Sequence, residues 1–211
     1  MTLVSPEDWT PQGVDDLELR AWEALREIDQ SILVTAGAGA GKTEFLAQKA
    51  AYLLQTGICP APKRILAISF KRDAARNLAE RVQKRCPPEQ ARRFDSMTFD
   101  AFTKNFLDRF RSAIPDPLSP SAGYRIDFPT RPSQEDFLER HGFHGLNVNQ
   151  FDTAIAKTRL PLNNNDDAGE RLRAVSAYWH SQYNDYDEVL LSFPMINRLV
   201  EWLLRENDQI Q

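Results

Sequence analysis

At 211 residues and 24.1 kDa the chain is long enough for one sizeable domain or two small ones. Its 42% apolar and 27% charged residues lie in the ordinary globular range, which excludes wholesale disorder, a collagen-like fibre and a disulfide scaffold. The net charge of −4 hides an asymmetry, because residues 63–111 hold 13 basic against 6 acidic side chains, or +7, and everything else sums to −11. A cationic block inside an acidic chain points to a localised anion-binding face, nucleic acid being the commonest polyanion, or to a solvated helix surface. Cys59 and Cys86 form no C-x-x-C pattern, which fits a reducing, cytoplasmic compartment. The first ten residues carry Glu7 and Asp8 and no apolar run, and no stretch approaches the roughly 18 apolar residues of a membrane span, so neither secretion nor membrane insertion is expected.

In chain order, Val14–Arg26 predicts a helix, with Leu17, Ala21, Trp22, Ala24 and Leu25 near a 3.6-residue spacing. Ser31–Thr35 is a short, partly β-branched apolar run that stops at glycine-rich residues, the pattern of a buried strand feeding a turn. An amphipathic helix is predicted over Lys42–Gln55, with Gly57 as its stop. Ile65–Phe70 reads as a second strand and Asp73–Lys84 as the helix after it. Phe94–Phe99 and Asp100–Phe110 form a third such unit, with Phe99, Phe102, Phe106 and Phe110 recurring on one face. Three strand-then-helix units in succession predict an α/β fold with a parallel sheet covered by helices.

Pro115, Pro117, Pro120, Pro129 and Pro132 then mark an irregular connector and a subdomain boundary. The remainder is predicted mainly helical, over 134–140, 148–158, 168–184 and 193–206, with a polar loop at Asn163–Asp167. Ile196, Leu199, Val200, Leu203 and Leu204 make an apolar stripe on the last helix.

Chemistry concentrates in Ala36-Gly37-Ala38-Gly39-Ala40-Gly41-Lys42-Thr43, between a predicted strand and a predicted helix. That is the context a phosphate-binding P-loop requires. Glycines let backbone N–H groups turn inward around an anion, and the following helix N-terminus adds partial positive charge. Lys42 is expected to reach the β- and γ-phosphates of a nucleotide, and Thr43 to place its hydroxyl on Mg²⁺. The pattern departs from G-x-x-x-x-G-K-[ST] only in having Ala36 at its first position.

These residues resemble motif I of the superfamily 1 DNA helicases of the UvrD, Rep and PcrA type, in which alanine at that position is normal. Ile65–Ala75 resembles their motif Ia and Thr98–Phe102 their motif Ib, so three motifs occur in family order over residues 14–112, about half the chain. The resemblance implies a RecA-like P-loop NTPase sheet (1A-like) over residues 1–112, a helical insertion (1B-like) over 113–192, and a C-terminal helix over 193–211 leading back towards the first region. It implies ATP and Mg²⁺ as cofactors and single-stranded DNA as the partner of an ATP-dependent 3′-to-5′ helicase. Ser69, Phe70, Lys71, Arg72, Thr98 and Phe102 are then candidates for DNA contact, Phe70 foremost for base stacking, with Arg76 near by for phosphates. Arg72-Asp73 departs from the Asn-Lys usual there. A glutamine normally reads the adenine; here Glu18 stands closest to its place, Gln12 lying before the helix and Gln30 too near the loop.

An apolar strand ending in Asp-Glu, which holds Mg²⁺ and polarises the attacking water, is not found. Asp187-Glu188 follows Tyr183-Asn184-Asp185-Tyr186 rather than an apolar run. By resemblance, Leu191–Gln211 corresponds to the helix just upstream of that strand, and the second motor domain is also absent. The expectation is an incomplete sheet with an unpaired edge. The chain alone is expected to be inactive, completed by its missing C-terminal half or a partner protein. The alternative is a stand-alone nucleotide- or DNA-binding module without catalysis. A small P-loop kinase with lid arginines Arg159, Arg171 and Arg173, and a metal pair at His141 and His144, are weaker readings.

Overall fold

The computed structural model describes residues 3–37, 39–162 and 169–209, so Ala38 and the predicted loop at Asn163–Asp167 lie outside the described residues. The chain divides into two compact units, residues 1–99 and 100–211. Their boundary falls at the start of a helix, whereas the sequence pattern placed it after residue 112.

The first unit contains α1 (Leu19–Arg26), α2 (Lys42–Gln55), β1 (Ile65–Ser69), α3 (Arg72–Arg85), the single turn α4 (Pro88–Ala91) and β2 (Phe94–Thr98). Helix α1 starts five residues later than its periodicity predicts. The Asp16 carboxylate accepts from its neighbour's N–H at Leu17 (2.7 Å) and from Trp22 Nε1 (2.8 Å), a local bond that competes with helical pairing. Strands β1 and β2 pair in parallel with Ile65 opposite Phe94 and Ser69 opposite Thr98. Leu78 and Val82 of α3 are buried with Ala47, Ala51 and Leu54 of α2, and partly buried Ile65, Ala67 and Phe94 pack against this cluster. The opposite side of β1 carries Leu66 and Ile68, both 46% exposed.

One predicted strand is not a strand. Ser31–Thr35 is without ladder pairing, and Leu33 is 90% exposed. A strand exists only through a neighbour that takes its N–H and C=O groups, and a parallel strand also needs cover on both faces. Among the described residues no segment pairs with 31–35, so an apolar run with strand composition stays single.

Trp9, from a stretch without periodicity, is instead core. It is 2% exposed, donates Nε1 to Gln55 Oε1 at 2.6 Å, and meets Trp22 and Tyr52 edge-to-face. Cys86 is also buried, and burial pushes its thiol up to about 11, the state of an inert thiol.

Helix α5 (Phe99–Phe110) leads into the second unit. There follow a 3₁₀ turn (Arg111–Ala113), β3 (Arg125–Ile126), α6 (Arg131–Arg140), α7 (Val148–Lys157), α8 (Glu170–Asn184), β4 (Leu190–Leu191) and α9 (Phe193–Glu206). Thr130 with Ser133, and Asn147 with Gln150, form reciprocal capping boxes that set the starts of α6 and α7. The stripe predicted on α9 is its buried face, with Ile196, Leu199 and Leu203 at 0% exposure alongside Phe151 and Leu191. Phe137 stacks on Phe151 at 5.6 Å, and Tyr178 meets both edge-on. Strands β3 and β4 pair in parallel over two residues each, too short to leave a sequence period. No helix among the described residues is long and apolar enough to cross a membrane.

Candidate phosphate-binding loop and cationic sheet edge

The glycine-rich residues run from the exposed 31–35 segment into α2. Gly39 and Gly41 have φ of +77° and +76°, a left-handed backbone that a side chain would strain, so glycine at these two positions has a conformational cause. Gly41 is the N-cap of α2, and the first helical bond is donated by Phe45 N–H to Gly41 C=O at 2.9 Å. The amides of Lys42, Thr43 and Glu44 therefore lack helical acceptors and lie at the positive end of a 14-residue helix dipole. Lys42 Nζ donates back to the carbonyl oxygens of Ala36 (2.7 Å) and Gly37 (2.5 Å), and Ala40 N–H donates to Gly37 C=O at 3.3 Å. Thr43 is exposed on the first turn.

A cavity of about 500 Å³ opens beside the loop, bordered by Ala36, Gly41, Lys42 and, from the α1 side, Glu18 and Arg20. Glu18, the residue that by resemblance stands nearest the place of an adenine-reading glutamine, borders the same cavity as Lys42. Arg20 was not foreseen: it sits off the apolar stripe of α1, where pattern reading assigns only solvent.

Glu44 borders the cavity one turn into α2, a poor place for an uncompensated carboxylate if an anion is to bind. It is compensated. Arg81 Nη1 (2.6 Å) and Arg85 Nη2 (2.7 Å) of α3 donate to its Oε2, while Arg85 Nε (2.9 Å) and Gln48 Nε2 (2.7 Å) donate to its Oε1. Burial alone would raise the Glu44 pKa, but the bonds from Gln48 and Arg81 and the charge of Arg85 outweigh it and hold the carboxyl below its ordinary value. Gln48, wholly buried, also bonds Gln12 from both ends, accepting from its N–H (2.9 Å) and donating to its C=O (2.7 Å). The available signal for this lock was a polar residue on the buried side of α2.

The cationic block resolves into two uses. Arg81 and Arg85 serve Glu44, Arg64 forms a two-pronged pair with Asp95 at 2.6 and 2.7 Å, and Arg93 donates to the carbonyls of Lys63 and Cys59. Lys71 and Arg72, by contrast, are exposed and enter no ion pair among the described residues, while Arg76 is tied to Asp73 at 2.9 Å. They follow Phe70, which is 94% exposed. Register places Ser69 beside Thr98 at the carboxyl ends of the paired parallel strands, the end at which open α/β sheets receive ligands. Five of the six predicted DNA contacts, Ser69, Phe70, Lys71, Arg72 and Thr98, thus share one sheet end. Phe102 lies on α5 in the second unit, half-buried and 5.8 Å from Phe106, which packs on that unit's core.

Asp187 and Glu188 are exposed and precede β4 instead of ending a strand, and Glu188 lies 3.7 Å from Arg125. His141 rests on the Phe137 ring at 4.4 Å, and no group of three metal-ligating side chains gathers among the described residues.

Residues 17–189 match the UvrD/REP helicase N-terminal domain. The chain belongs to that family. Among curated relatives, this UvrD/REP-type chain is 38% identical to the "ATP-dependent DNA helicase PcrA" of Leuconostoc citreum over 92 residues, which is 44% of the chain and 12% of that protein. It is 45% identical to the PcrA helicase of Staphylococcus aureus (strain Mu50 / ATCC 700699) over 62 residues, 29% of the chain and 8% of the relative. It is 34% identical to "DNA helicase IV" of Escherichia coli (strain K12) over 87 residues, 41% of the chain and 12% of the relative. The UvrD/REP-type chain thus spans about an eighth or less of the length of these helicases.

Proposed function

We propose that this chain is the ATP-binding N-terminal part of an ATP-dependent DNA helicase that translocates 3′ to 5′ on single-stranded DNA in the cytoplasm. The observation that carries the reading is the placement of Lys42 and Thr43 on the first turn of α2, directly after a loop with two left-handed glycines. The donor set fits a nucleoside triphosphate with Mg²⁺: the helix-start amides of α2, one ammonium, one hydroxyl, and a neighbouring carboxylate already neutralised by two arginines. Lys42 would leave the Ala36 and Gly37 carbonyls for the terminal phosphates, loop amides would hold phosphate oxygens, and the Thr43 hydroxyl would hold Mg²⁺. The bound ion would neutralise charge on the β- and γ-phosphates. Glu18 is proposed on the adenine side.

For DNA, Phe70 offers a stacking face, Lys71 and Arg72 meet phosphates, and Ser69 and Thr98 bond the sugar-phosphate backbone, with Phe102 as a further contact. Stacking tolerates any base, as a translocating motor requires. The P-loop, RecA-like sheet with 1A-like and 1B-like divisions at 1–112, 113–192 and 193–211 belongs to the same proposal. Among the described residues no Asp-Glu pair ends a strand beside the loop, so the chain alone binds ATP without turning it over, and a C-terminal continuation or partner protein completes the motor.

The test is a titration of the 211-residue chain with a fluorescent ATP analogue, with and without Mg²⁺, and with oligodeoxythymidine, followed by phosphate release. Mg²⁺-dependent nucleotide binding and DNA binding without turnover are expected. Absence of nucleotide binding overturns the reading, and turnover matching that of intact motors overturns the claim of inactivity.

A further inference from the structure

The cavity beside the glycine-rich loop is bordered on its α1 side by two charged side chains, Glu18 and Arg20. Both residues are exposed, the Glu18 carboxylate makes no capping bond to α1, and neither side chain has a hydrogen bond or an ion pair among the described residues. The other two carboxylates bordering the cavity are already engaged: Asp16 accepts from Leu17 N–H and Trp22 Nε1, and Glu44 accepts from Arg81, Arg85 and Gln48. Leu17, Ala21 and Phe45 add apolar surface of the kind that a planar base covers. With phosphates held by Lys42 and the first amides of α2, the α1 side is left to the base.

The chemistry of the two free side chains distinguishes the purines. A glutamine amide both donates and accepts, and so pairs with the N6–H₂ donor and the N7 acceptor of adenine. Glu18 only accepts. Its two oxygens match two neighbouring donors, which guanine presents as N1–H and N2–H₂; on adenine, one oxygen would face a ring-nitrogen lone pair. Arg20 only donates, and its fork matches the adjacent O6 and N7 acceptors of guanine, whereas adenine sets a donor beside its N7. N2, N1, O6 and N7 follow one another around the guanine edge, so one carboxylate and one guanidinium serve all four. Resting on the nucleotide reading above, we infer that this cavity binds guanine nucleotides at least as tightly as adenine nucleotides, with Glu18 on N1 and N2 and Arg20 on O6 and N7 setting the choice.

The experiment is competition of unlabelled ATP, GTP, inosine triphosphate and 7-deazaguanosine triphosphate, each with Mg²⁺, against a fluorescent ATP analogue on the full chain. It is repeated on Glu18→Gln and Arg20→Leu, with circular dichroism confirming that each variant is folded. GTP is expected to displace the analogue at or below the concentration of ATP that does so. Inosine triphosphate lacks the N2 amino group and the deaza compound lacks the N7 acceptor, so each should bind about tenfold more weakly than GTP, the size of one charge-assisted hydrogen bond. Glu18→Gln should abolish the inosine penalty and move the preference about tenfold towards ATP, and Arg20→Leu should abolish the deaza penalty. A merely structural role would weaken all four nucleotides alike. GTP binding weaker than ATP binding, or penalties unchanged in both variants, overturns the inference and leaves the nucleotide site standing. Absence of binding by the analogue, ATP and GTP alike overturns the nucleotide site and the inference with it.

Discussion

Lys42 and Gly37 close the glycine-rich loop upon itself: the Lys42 ammonium donates to the Gly37 carbonyl oxygen, five residues earlier, at 2.5 Å. The same ammonium bonds Ala36 at 2.7 Å, so the cation destined for a phosphate rests on the loop's own dipoles. Replacing Lys42 by alanine removes one charged contact from the bound nucleotide and little from the fold, because the residue is exposed. Nucleotide affinity should fall by about 2 kcal/mol or more, some thirtyfold, with the thermal midpoint nearly unchanged. Paired fluorescence titration and thermal melts read both, and undiminished affinity in Lys42→Ala would remove Lys42 from the nucleotide site.

Glu44 and its two arginines tie α2 to α3. Glu44→Gln leaves Arg81 and Arg85 without their anion, and Arg85 is largely buried, so a loss of about 2 kcal/mol in unfolding free energy is expected by urea titration. The sign with pH follows from the lowered pKa. The contribution is complete above the ordinary value of 4.5 and is lost as pH falls through the depressed folded value. The stability gap between wild type and Glu44→Gln should therefore be constant near neutrality and close only below about pH 4.5. A gap that closes between pH 6 and pH 7, on the order of two units too high, would point to another group.

Lys49 holds the end of α1 by donating Nζ to the carbonyls of Ala24 (3.1 Å), Leu25 (2.7 Å) and Glu27 (2.5 Å). These are carbonyls that a helix C-terminus leaves unpaired. Lys49→Met keeps the packed stem and removes the donor, which should cost about 1 to 2 kcal/mol and loosen α1. Hydrogen exchange should show faster amide exchange across 19–26 with α2 unaffected. Equal exchange in both proteins would mean that apolar packing alone seats α1.

Phe70, at 94% exposure, contributes almost nothing to the core. Phe70→Ala should leave stability unchanged and weaken single-strand binding by about 1 to 3 kcal/mol, nearly equally for thymidine and adenosine oligomers. Lys71→Ala and Arg72→Ala should each lower affinity and reduce the salt dependence by about one unit of slope. Anisotropy titrations at several salt concentrations check both, and a Phe70→Ala protein with wild-type affinity would leave the exposed ring without this use.

Local pattern was sufficient for much of this molecule. The bounds of α2 and α9, the apolar stripe of Ile196, Leu199 and Leu203, and the setting of Lys42 and Thr43 at a helix start all depend on neighbours within a few residues, and a 3.6-residue period records such neighbours. Family membership was also readable, because three motifs stand in order within the first half of the chain. Tertiary structure decided the rest. Strand composition at 31–35 was not enough, since a ladder needs a second backbone beside it. Trp9 became core because Gln55, Tyr52 and Trp22 converge on it. The clamp of Arg81 and Arg85 on Glu44 joins residues 37 and 41 apart in sequence. The ring cluster of Phe137, Phe151 and Tyr178 formed only when α6, α7 and α8 came together, because burial is a property of the folded neighbourhood and of no single segment.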